Sequence, residues 1–264
     1  MTDPSVDQSS VNDSSGGGSP ARPSISSTTT VPKPVTFLAG NSLASRVFYR
    51  VGWLIVVPLF RGYTRLTING KEHLPASGPF VLAPTHRSYL DTPFAGTVRW
   101  KRMRFMGKHT MWKNRQFGWV LSALGAFPVQ RGAADREALK RAIEVLQMGD
   151  PLVLFPEGER KEGPIVQPLF DGAVYIAIKA GVPIVPVGIG GSERVMPKKA
   201  RFVYPRKVHV EIGPPIPPPV APDGGRVPRT AYREHSERLH GELQRLFDAA
   251  MERIPWDYPR PEQA

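Results

Sequence analysis

The sequence predicts an α/β fold, a single domain in which helices flank a mostly buried mixed sheet. Short apolar runs typical of strands alternate with helical patterns of roughly 8–15 residues along most of the chain. The chain has 264 residues, and the roughly 230 that follow a low-complexity start are enough to bury one sizeable core. These two observations favour layers of helix and sheet.

Seven apolar runs are predicted to be strands and five segments to be helices. The predicted strands are residues 65–68, 80–83, 104–106, 127–129, 152–155, 184–189 and 208–212. The predicted helices are residues 91–98, 116–124, 134–148, 172–180 and 230–253. The clearest helix is 134–148, because its apolar residues form one stripe with charged residues opposite. Thr230 is expected to cap the last helix.

Both ends of the chain are predicted to lie outside the core. Of the first 34 residues, 21 are Ser, Thr, Pro or Gly, so residues 1–34 are expected to be a disordered tail. The tail lacks the basic and apolar regions of a secretory signal. Residues 213–230 are dense in proline and cannot be helical. Residues 216–264 are therefore predicted to be a proline-rich connector followed by a C-terminal helix.

Residues 35–64 are predicted to form a helical segment at the membrane interface. Their longest apolar run, 51–60, is shorter than the ~20 residues that a helix needs to cross a bilayer. Pro58 is expected to interrupt its last turn. Arginines flank the run, which is typical of an interfacial helix. They are Arg46, Arg50, Arg61 and Arg65. The alternative is an amphipathic helix packed on the domain's own core.

Charge and composition limit the classes of function. A net charge of +12 and a pI near 10.2 indicate anionic partners, which are nucleic acid, phosphorylated metabolites or an anionic membrane surface. The absence of cysteine excludes disulfides, iron–sulfur clusters and thiol catalysis. No histidine pair has the spacing of a zinc site, and the glycine-rich run 188–191 lacks the Walker lysine. No metal or cofactor is predicted.

His86 and Asp91 lie five residues apart, after a predicted strand followed by Pro84. On one continuous helix they would point about 140° apart, so they meet only if the chain turns between them. Ser88 is expected to cap a new helix with Asp91 at its third position. The carboxylate would fix the histidine tautomer and leave the other ring nitrogen to accept a proton. The alternative is a capping Asp91 beside an unrelated surface histidine.

Three further blocks follow along the chain, and none supplies an activated serine. They are GAFPVQRG at 125–132, FPEGER at 155–160 and VPIVPV at 182–187. Ser192, in the run GGSER, lacks the final glycine of a nucleophile elbow. Direct attack by a substrate hydroxyl therefore remains, with His86 as general base.

These four blocks, over roughly residues 65–215, resemble those of the glycerolipid acyltransferases, above all the 1-acylglycerol-3-phosphate acyltransferases. The resemblance implies an acyltransferase core at 65–215. It also implies transfer of a fatty acyl group from acyl-CoA or acyl carrier protein to a hydroxyl of a (lyso)glycerophosphate acceptor, such as 1-acylglycerol 3-phosphate. His86 and Asp91 would be the catalytic pair. The fourth block has no functional side chain and is expected to support the cleft.

The same resemblance implies a substrate-binding set. Its members are Lys108, Arg131, Glu157, Gly158 and Arg160. The cations would hold the acceptor phosphate, and the glycine would let the backbone approach the substrate. Two departures bear on the acceptor. Glu159 stands where the family has Ser or Thr, and Gln130 stands where an acidic residue is common.

The predicted partners are an anionic membrane surface, a thioester acyl donor and a lysophospholipid acceptor. The protein is accordingly expected to be a peripheral or monotopic protein on the cytoplasmic face of the cell membrane. Two alternatives stay within lipid chemistry: another lysolipid or glycolipid acceptor, and a lipid-binding scaffold without activity. A third is a basic nucleic-acid-binding module, motivated by the run RWKRMR at 99–104. It leaves the His86 and Glu157 blocks unexplained, so no nucleic acid is expected.

Overall fold

The computed structural model describes residues 42–129, 136–197, 200–220 and 227–256. The strands are β1 Thr67–Asn69, β2 Val81–Pro84, β3 Arg104–Lys108, β4 Ala126–Val129, β5 Leu152–Val153, β6 Ile184–Gly190 and β7 His209–Ile212. The helices are α1 Leu43–Thr64, α2 Asp91–Gly96, α3 Arg115–Ala123, α4 Arg136–Gln147, α5 Gly172–Ala180, α6 Ser192–Val195 and α7 Arg229–Glu252. Single 3₁₀ turns occupy Lys71–His73 and His109–Trp112.

The strands form one mixed sheet in the order β1-β7-β6-β2-β5-β3-β4, and only the β6–β7 pair is antiparallel. The predicted α/β fold with a mixed sheet and flanking helices is confirmed. All seven predicted strands and five predicted helices are present, with ends shifted by a few residues. Three single-turn elements were not predicted, since one turn gives no periodic signal. The predicted cap of the last helix was wrong: Pro228 holds the N-cap position and Thr230 lies inside α7.

Strand β2 is fully buried at the centre of the sheet and contributes to a core on each face. Val81 and Ala83 point into the core covered by α4, α5 and α7, whereas Phe80 and Leu82 point into the core under α2. This alternation follows from the two-residue period of a strand. Because β2, β3, β5 and β6 run parallel, their carboxyl ends meet at one edge of the sheet, where loops can assemble a site.

Helix α7 packs against β6 at two glycines. A Cβ atom on Gly188 would lie 2.2 Å from the carbonyl oxygen of Leu246, and one on Gly190 would lie 2.8 Å from the backbone of Ala250. No larger residue fits at this separation, so the glycines allow direct contact between helix backbone and sheet. Leu239, Leu243 and Phe247 complete this core, and α7 is therefore a layer of the same core as the strands.

Helix α1 has 22 residues, or about 33 Å at 1.5 Å per residue. By length and composition alone it could cross a membrane, although its longest uninterrupted apolar run has only ten residues. The helix continues beyond Pro58, because Val57 is buried and the ring of Phe60 packs 4.7 Å from that of Phe94. Its opposite face exposes large apolar side chains. They include Leu43, Val47, Val51, Leu54, Ile55 and Leu59.

Candidate active site

His86 lies on the loop between β2 and α2. Its Nδ1 is 3.0 Å from Oδ2 of Asp91, whose side chain is fully buried. The predicted pairing of the two side chains is therefore present, although its local geometry differs from the prediction. Asp91 is the first residue of α2 rather than its third, and Leu90 occupies the N-cap position. Ser88 accepts a hydrogen bond from the Leu90 N–H and donates one to the carbonyl of Met196.

The Asp91 carboxylate organises this loop. Oδ2 also accepts hydrogen bonds from the backbone N–H groups of Arg87 at 2.5 Å and Ser88 at 2.6 Å. A carboxylate that accepts from His86 requires the proton on Nδ1, and in the neutral ring Nε2 is then unprotonated and able to accept one. The same oxygen thus fixes both the loop and the histidine tautomer.

The imidazole is held on its face as well as at its edge. The His86 ring stacks on that of Phe155, with centroids 4.0 Å apart and planes 23° apart. Phe155 follows β5, the strand beside β2. The His86 side chain remains 15% exposed. A ring with one nitrogen fixed, one face covered and partial access to solvent has the arrangement expected of a general base.

A buried ion pair underlies the loop. Arg87 Nη1 donates to both carboxylate oxygens of Glu157, at 2.7 and 2.9 Å, and both side chains are almost completely buried. Oε2 of Glu157 also accepts from the backbone N–H of His86 at 2.8 Å, and Oε1 accepts from that of Gln167 at 3.3 Å. The Glu157 carboxylate, expected at the acceptor site, therefore binds the protein's own donors.

Sequence reasoning did not single out Arg87. Its guanidinium also donates to the carbonyls of His86, Gly163 and Ile165, so it ties β2, the loop after β5 and the chain leading to α5 together. The chain contains 35 lysines and arginines, and a buried arginine cannot be recognised among them by residue type. Its position immediately after His86 was the one available signal.

Other residues of the FPEGER block also meet the His86 loop. The backbone N–H of Lys161 donates to the His86 carbonyl at 2.8 Å, and the Arg160 guanidinium lies 3.4 Å from the centroid of the Tyr89 ring. Arg160 is half-exposed beside the loop. The side chain of Glu159 is paired with that of Lys161 at 2.7 Å.

Gly158 has a local structural role. Its φ is +70°, and a Cβ atom would lie 2.7 Å from the Phe170 ring. Its N–H donates to the carbonyl of Phe155 at 3.1 Å. The glycine therefore permits the turn that brings the block to the loop, and its amide is already used within that turn.

Another predicted substrate residue, Lys108, lies apart from the His86 loop. Lys108 ends β3, two strands from β2, and is exposed at the same sheet edge. No contact within the described ranges joins it to the His86 loop. Arg131 lies outside the described residues, so its role stays a prediction.

Two other kinds of site, a metal centre and a nucleic-acid-binding surface, can be compared with the described structure. Within residues 42–129, 136–197, 200–220 and 227–256, no group of three or more His, Cys, Asp or Glu side chains could hold a metal. The basic run 99–104 is not a continuous exposed surface, because Met103 and Arg104 are buried. The Arg99 guanidinium donates to the carbonyl of Ala76.

Comparison with known proteins agrees with the fold and with the family resemblance. The family model described as Acyltransferase matches residues 65–190. A 1-acyl-sn-glycerol-3-phosphate acyltransferase of Bacillus subtilis (strain 168) is 30% identical over 151 residues, which are 56% of this chain and 72% of the relative. A chloroplastic protein of the same activity from Brassica napus is 32% identical over 138 residues, which are 51% of this chain and 40% of the relative.

A solved structure shares the fold. The 1-acyl-sn-glycerophosphate acyltransferase PlsC from Thermotoga maritima superposes with a TM-score of 0.59 at 24% identity, over 77% of this chain and 78% of that chain. The chain spans less than half the length of the two chloroplastic relatives, from Brassica napus and Arabidopsis thaliana. The family-model match covers the strands and loops that carry His86, Asp91 and Glu157.

Proposed function

We propose that this chain, which belongs to the acyltransferase family, transfers a fatty acyl group from a thioester to a hydroxyl of a lysoglycerophosphate in phospholipid biosynthesis. The observation that carries the proposal is the His86–Asp91 pair, with Nδ1 bound at 3.0 Å and Nε2 left to accept a proton. The relatives with a matching family region are named for 1-acyl-sn-glycerol-3-phosphate, which supports lysophosphatidate as the acceptor.

The reaction needs no covalent enzyme intermediate. The acceptor hydroxyl gives its proton to Nε2 of His86 while its oxygen bonds to the thioester carbonyl carbon. The tetrahedral intermediate then expels the sulfur, and the leaving thiolate takes the proton back from Nε2–H. The products are an ester and a free thiol, and His86 returns to its neutral form. Asp91 orients the ring and stabilises the imidazolium between the two steps.

Three side chains have distinct supporting roles in this proposal. Arg160, half-exposed beside the loop, binds the acceptor phosphate, together with Lys108 from β3. Glu157 is a positioning residue, because its oxygens hold Arg87 and the His86 amide. This assignment differs from the acceptor-binding role that the family resemblance implied for the glutamate.

The test is acyl transfer by purified protein. Labelled acyl-CoA and acyl-acyl carrier protein would each be offered with lysophosphatidate, glycerol 3-phosphate, lysophosphatidylglycerol and a lysoglycolipid. We expect lysophosphatidate to give the highest kcat/KM. A preference for a different lysolipid would support the second candidate, which Glu159 in place of the family's Ser or Thr favours. The absence of acyl ester with every acceptor would refute the activity.

We further propose that α1 lies in the surface of an anionic membrane on the cytoplasmic face. One face of the helix packs on the domain, where the rings of Trp53 and Trp100 are 4.6 Å apart. The other face exposes large apolar side chains, which are unfavourable in water by roughly 25 cal/mol per Å². A helix held against its own domain in this way suits an interfacial position better than a span.

Vesicle binding tests this part. Leu54→Ser with Leu59→Ser removes two side chains that are 58% and 67% exposed, so the fold should be retained and binding weakened. Ile165→Ser with Val220→Ser is the matched control, since both are exposed apolar residues outside α1. Equal vesicle binding by the two double variants would place the membrane contact elsewhere.

A further inference from the structure

A cavity lies at the amino ends of the parallel strands, at the opposite end of the strands from His86. It has a volume of about 260 Å³ and lies between α1 and the segment that enters β3. Its lining is Arg46, Tyr49, Arg50, Trp100, Lys101, Arg102 and Asp150. Lys101 and Arg102 precede β3, whereas the His86 loop follows the carboxyl end of the parallel β2. The cavity is therefore about one strand length, at roughly 3.3 Å per residue, from the candidate active site.

The cavity has a strong excess of positive charge. Four of its lining residues are cationic and one is a carboxylate. That carboxylate, Asp150, accepts a 2.8 Å hydrogen bond from Arg104. Burial lowers the pKa of Arg102, and the positive charges of Arg104 and Arg46 lower it further, against the opposing effect of Asp150 and Tyr49. An anion in the cavity would relieve this like-charge repulsion.

A neutral hydrogen-bond donor accompanies the cations. Burial raises the pKa of Tyr49 to about 12, although Arg102 opposes the shift. Its hydroxyl therefore keeps its proton at neutral pH. Guanidinium groups and a neutral hydroxyl suit the oxygens of a phosphate, because arginine binds such groups with two parallel hydrogen bonds.

The cavity opens beside the apolar face of the membrane helix. Arg46 and Arg50 belong to α1, whose neighbouring residues Leu43, Val47 and Val51 are exposed. Trp100 lines the cavity, is 45% exposed and packs against Trp53 of α1. Tryptophan is enriched at the level of lipid headgroups. A ligand with an anionic head and an apolar tail fits this combination better than a soluble anion does.

We propose that this cavity binds the phosphate group of an anionic phospholipid and thereby fixes the orientation of α1 on the membrane. The inference rests on the membrane contact proposed for α1 but not on acyl transfer. It concerns a site separate from the one that contains His86, with a lipid that is bound and not consumed.

The experiment compares two double variants of the full chain on vesicles of four parts phosphatidylcholine and one part phosphatidylglycerol. Arg50→Gln with Lys101→Gln neutralises the cavity. Arg201→Gln with Arg206→Gln removes the same charge from an exposed loop, which is joined to the end of α1 where the Tyr63 hydroxyl donates to the Val203 carbonyl at 2.7 Å. All four side chains lie on the surface, and circular dichroism would verify that both variants fold.

We expect the cavity pair to lose vesicle affinity at least about tenfold more than the loop pair, because it removes charge-assisted hydrogen bonds. The difference should persist at raised salt, which screens exposed charges first. Equal losses would show a diffuse electrostatic attraction and overturn the proposal. Inorganic phosphate, titrated by calorimetry, is the second probe. If it binds as tightly as the vesicles and only the cavity pair loses it, the cavity is a site for a soluble anion and the lipid assignment is wrong.

Discussion

Two histidines of this protein contact carboxylates, but their surroundings differ. His86 Nδ1 lies 3.0 Å from Asp91, and His209 Nε2 lies 2.8 Å from Glu211. The second nitrogen of His209 is also engaged, 2.6 Å from the Thr67 hydroxyl. The side chain of His209, within β7, is 3% exposed, against 15% for that of His86 on its loop. A carboxylate contact alone therefore does not identify a base. A second nitrogen that is open to a substrate is also needed.

Replacing each histidine separately should give the largest difference. His86→Ala removes the proposed base and should lower kcat by about 10²–10⁴-fold, with little change in vesicle binding. His209→Ala should reduce thermal stability instead, while activity per folded molecule changes less than tenfold. Initial rates with acyl-CoA and lysophosphatidate, together with melting curves, would measure both. If the His86 variant kept more than a tenth of the parent rate, His86 would not be the general base.

The carboxylate beneath the His86 loop gives the next test. Glu157→Gln leaves Arg87 buried without its counter-charge, which should destabilise the fold by roughly 3–5 kcal/mol and lower kcat with the acceptor KM unchanged. Glu159→Gln is the matched control two residues away. Its exposed pair with Lys161 should contribute at most ~1 kcal/mol. Urea unfolding and steady-state kinetics separate these outcomes. A raised acceptor KM at unchanged stability would return Glu157 to the acceptor site.

Replacing Arg160 tests whether the acceptor phosphate binds beside the His86 loop. Arg160→Ala should raise the acceptor KM by about 10–100-fold, because it removes a charge-assisted contact of roughly 1.5–3 kcal/mol. Arg233→Ala, on the exposed side of α7, provides the charge control. If only the thioester KM rises, Arg160 binds the donor, and the acceptor approaches from another side.

A third histidine, without a carboxylate partner, should give the smallest effect. His235 is buried, its Nε2 has no hydrogen-bond partner among the described residues, and burial followed by the charge of Arg238 lowers its pKa from the ordinary value of 6.5. Below pH 6.5 the unfolded chain takes up this proton before the folded one, so stability falls as pH falls. His235→Leu should reduce that loss, measured by urea unfolding between pH 7 and 5. An unchanged pH slope would mean that His235 does not contribute.

Much of the fold was predictable because strands and helices leave local patterns. Each buried strand is a short apolar run, and the α4 and α7 segments carry apolar stripes at helical spacing. The order of the strands was not predictable, since β2 lies between β6 and β5, which are distant in sequence. The continuation of α1 past Pro58 was not predicted, because the contacts of Val57 and Phe60 with the domain offset the cost of Pro58 and cannot be recognised in the sequence.

The candidate site, like the fold, could be predicted from the sequence only in part. The His86–Asp91 pair could be predicted, since a turn between strand and helix brings residues five apart together. The Arg87–Glu157 pair could not, because its partners are 70 residues apart and residue type does not distinguish Arg87 from the other cations. Glu157 was recognised by motif, but its contacts with Arg87 and the His86 amide were not predicted, since a motif identifies the residue and not the direction of its side chain.

The two glycines of β6 also constrain how this protein is made. Gly188 and Gly190 leave a groove on the sheet that only the backbone of α7 fills, and α7 is the last described helix to leave the ribosome. Chains are synthesised at roughly 5–20 residues per second, so α1 is complete roughly 10 s or more before the sheet acquires its final layer. The membrane contact proposed for α1 would therefore precede completion of the core, and a chain stalled before α7 would meet the membrane without its last helical layer.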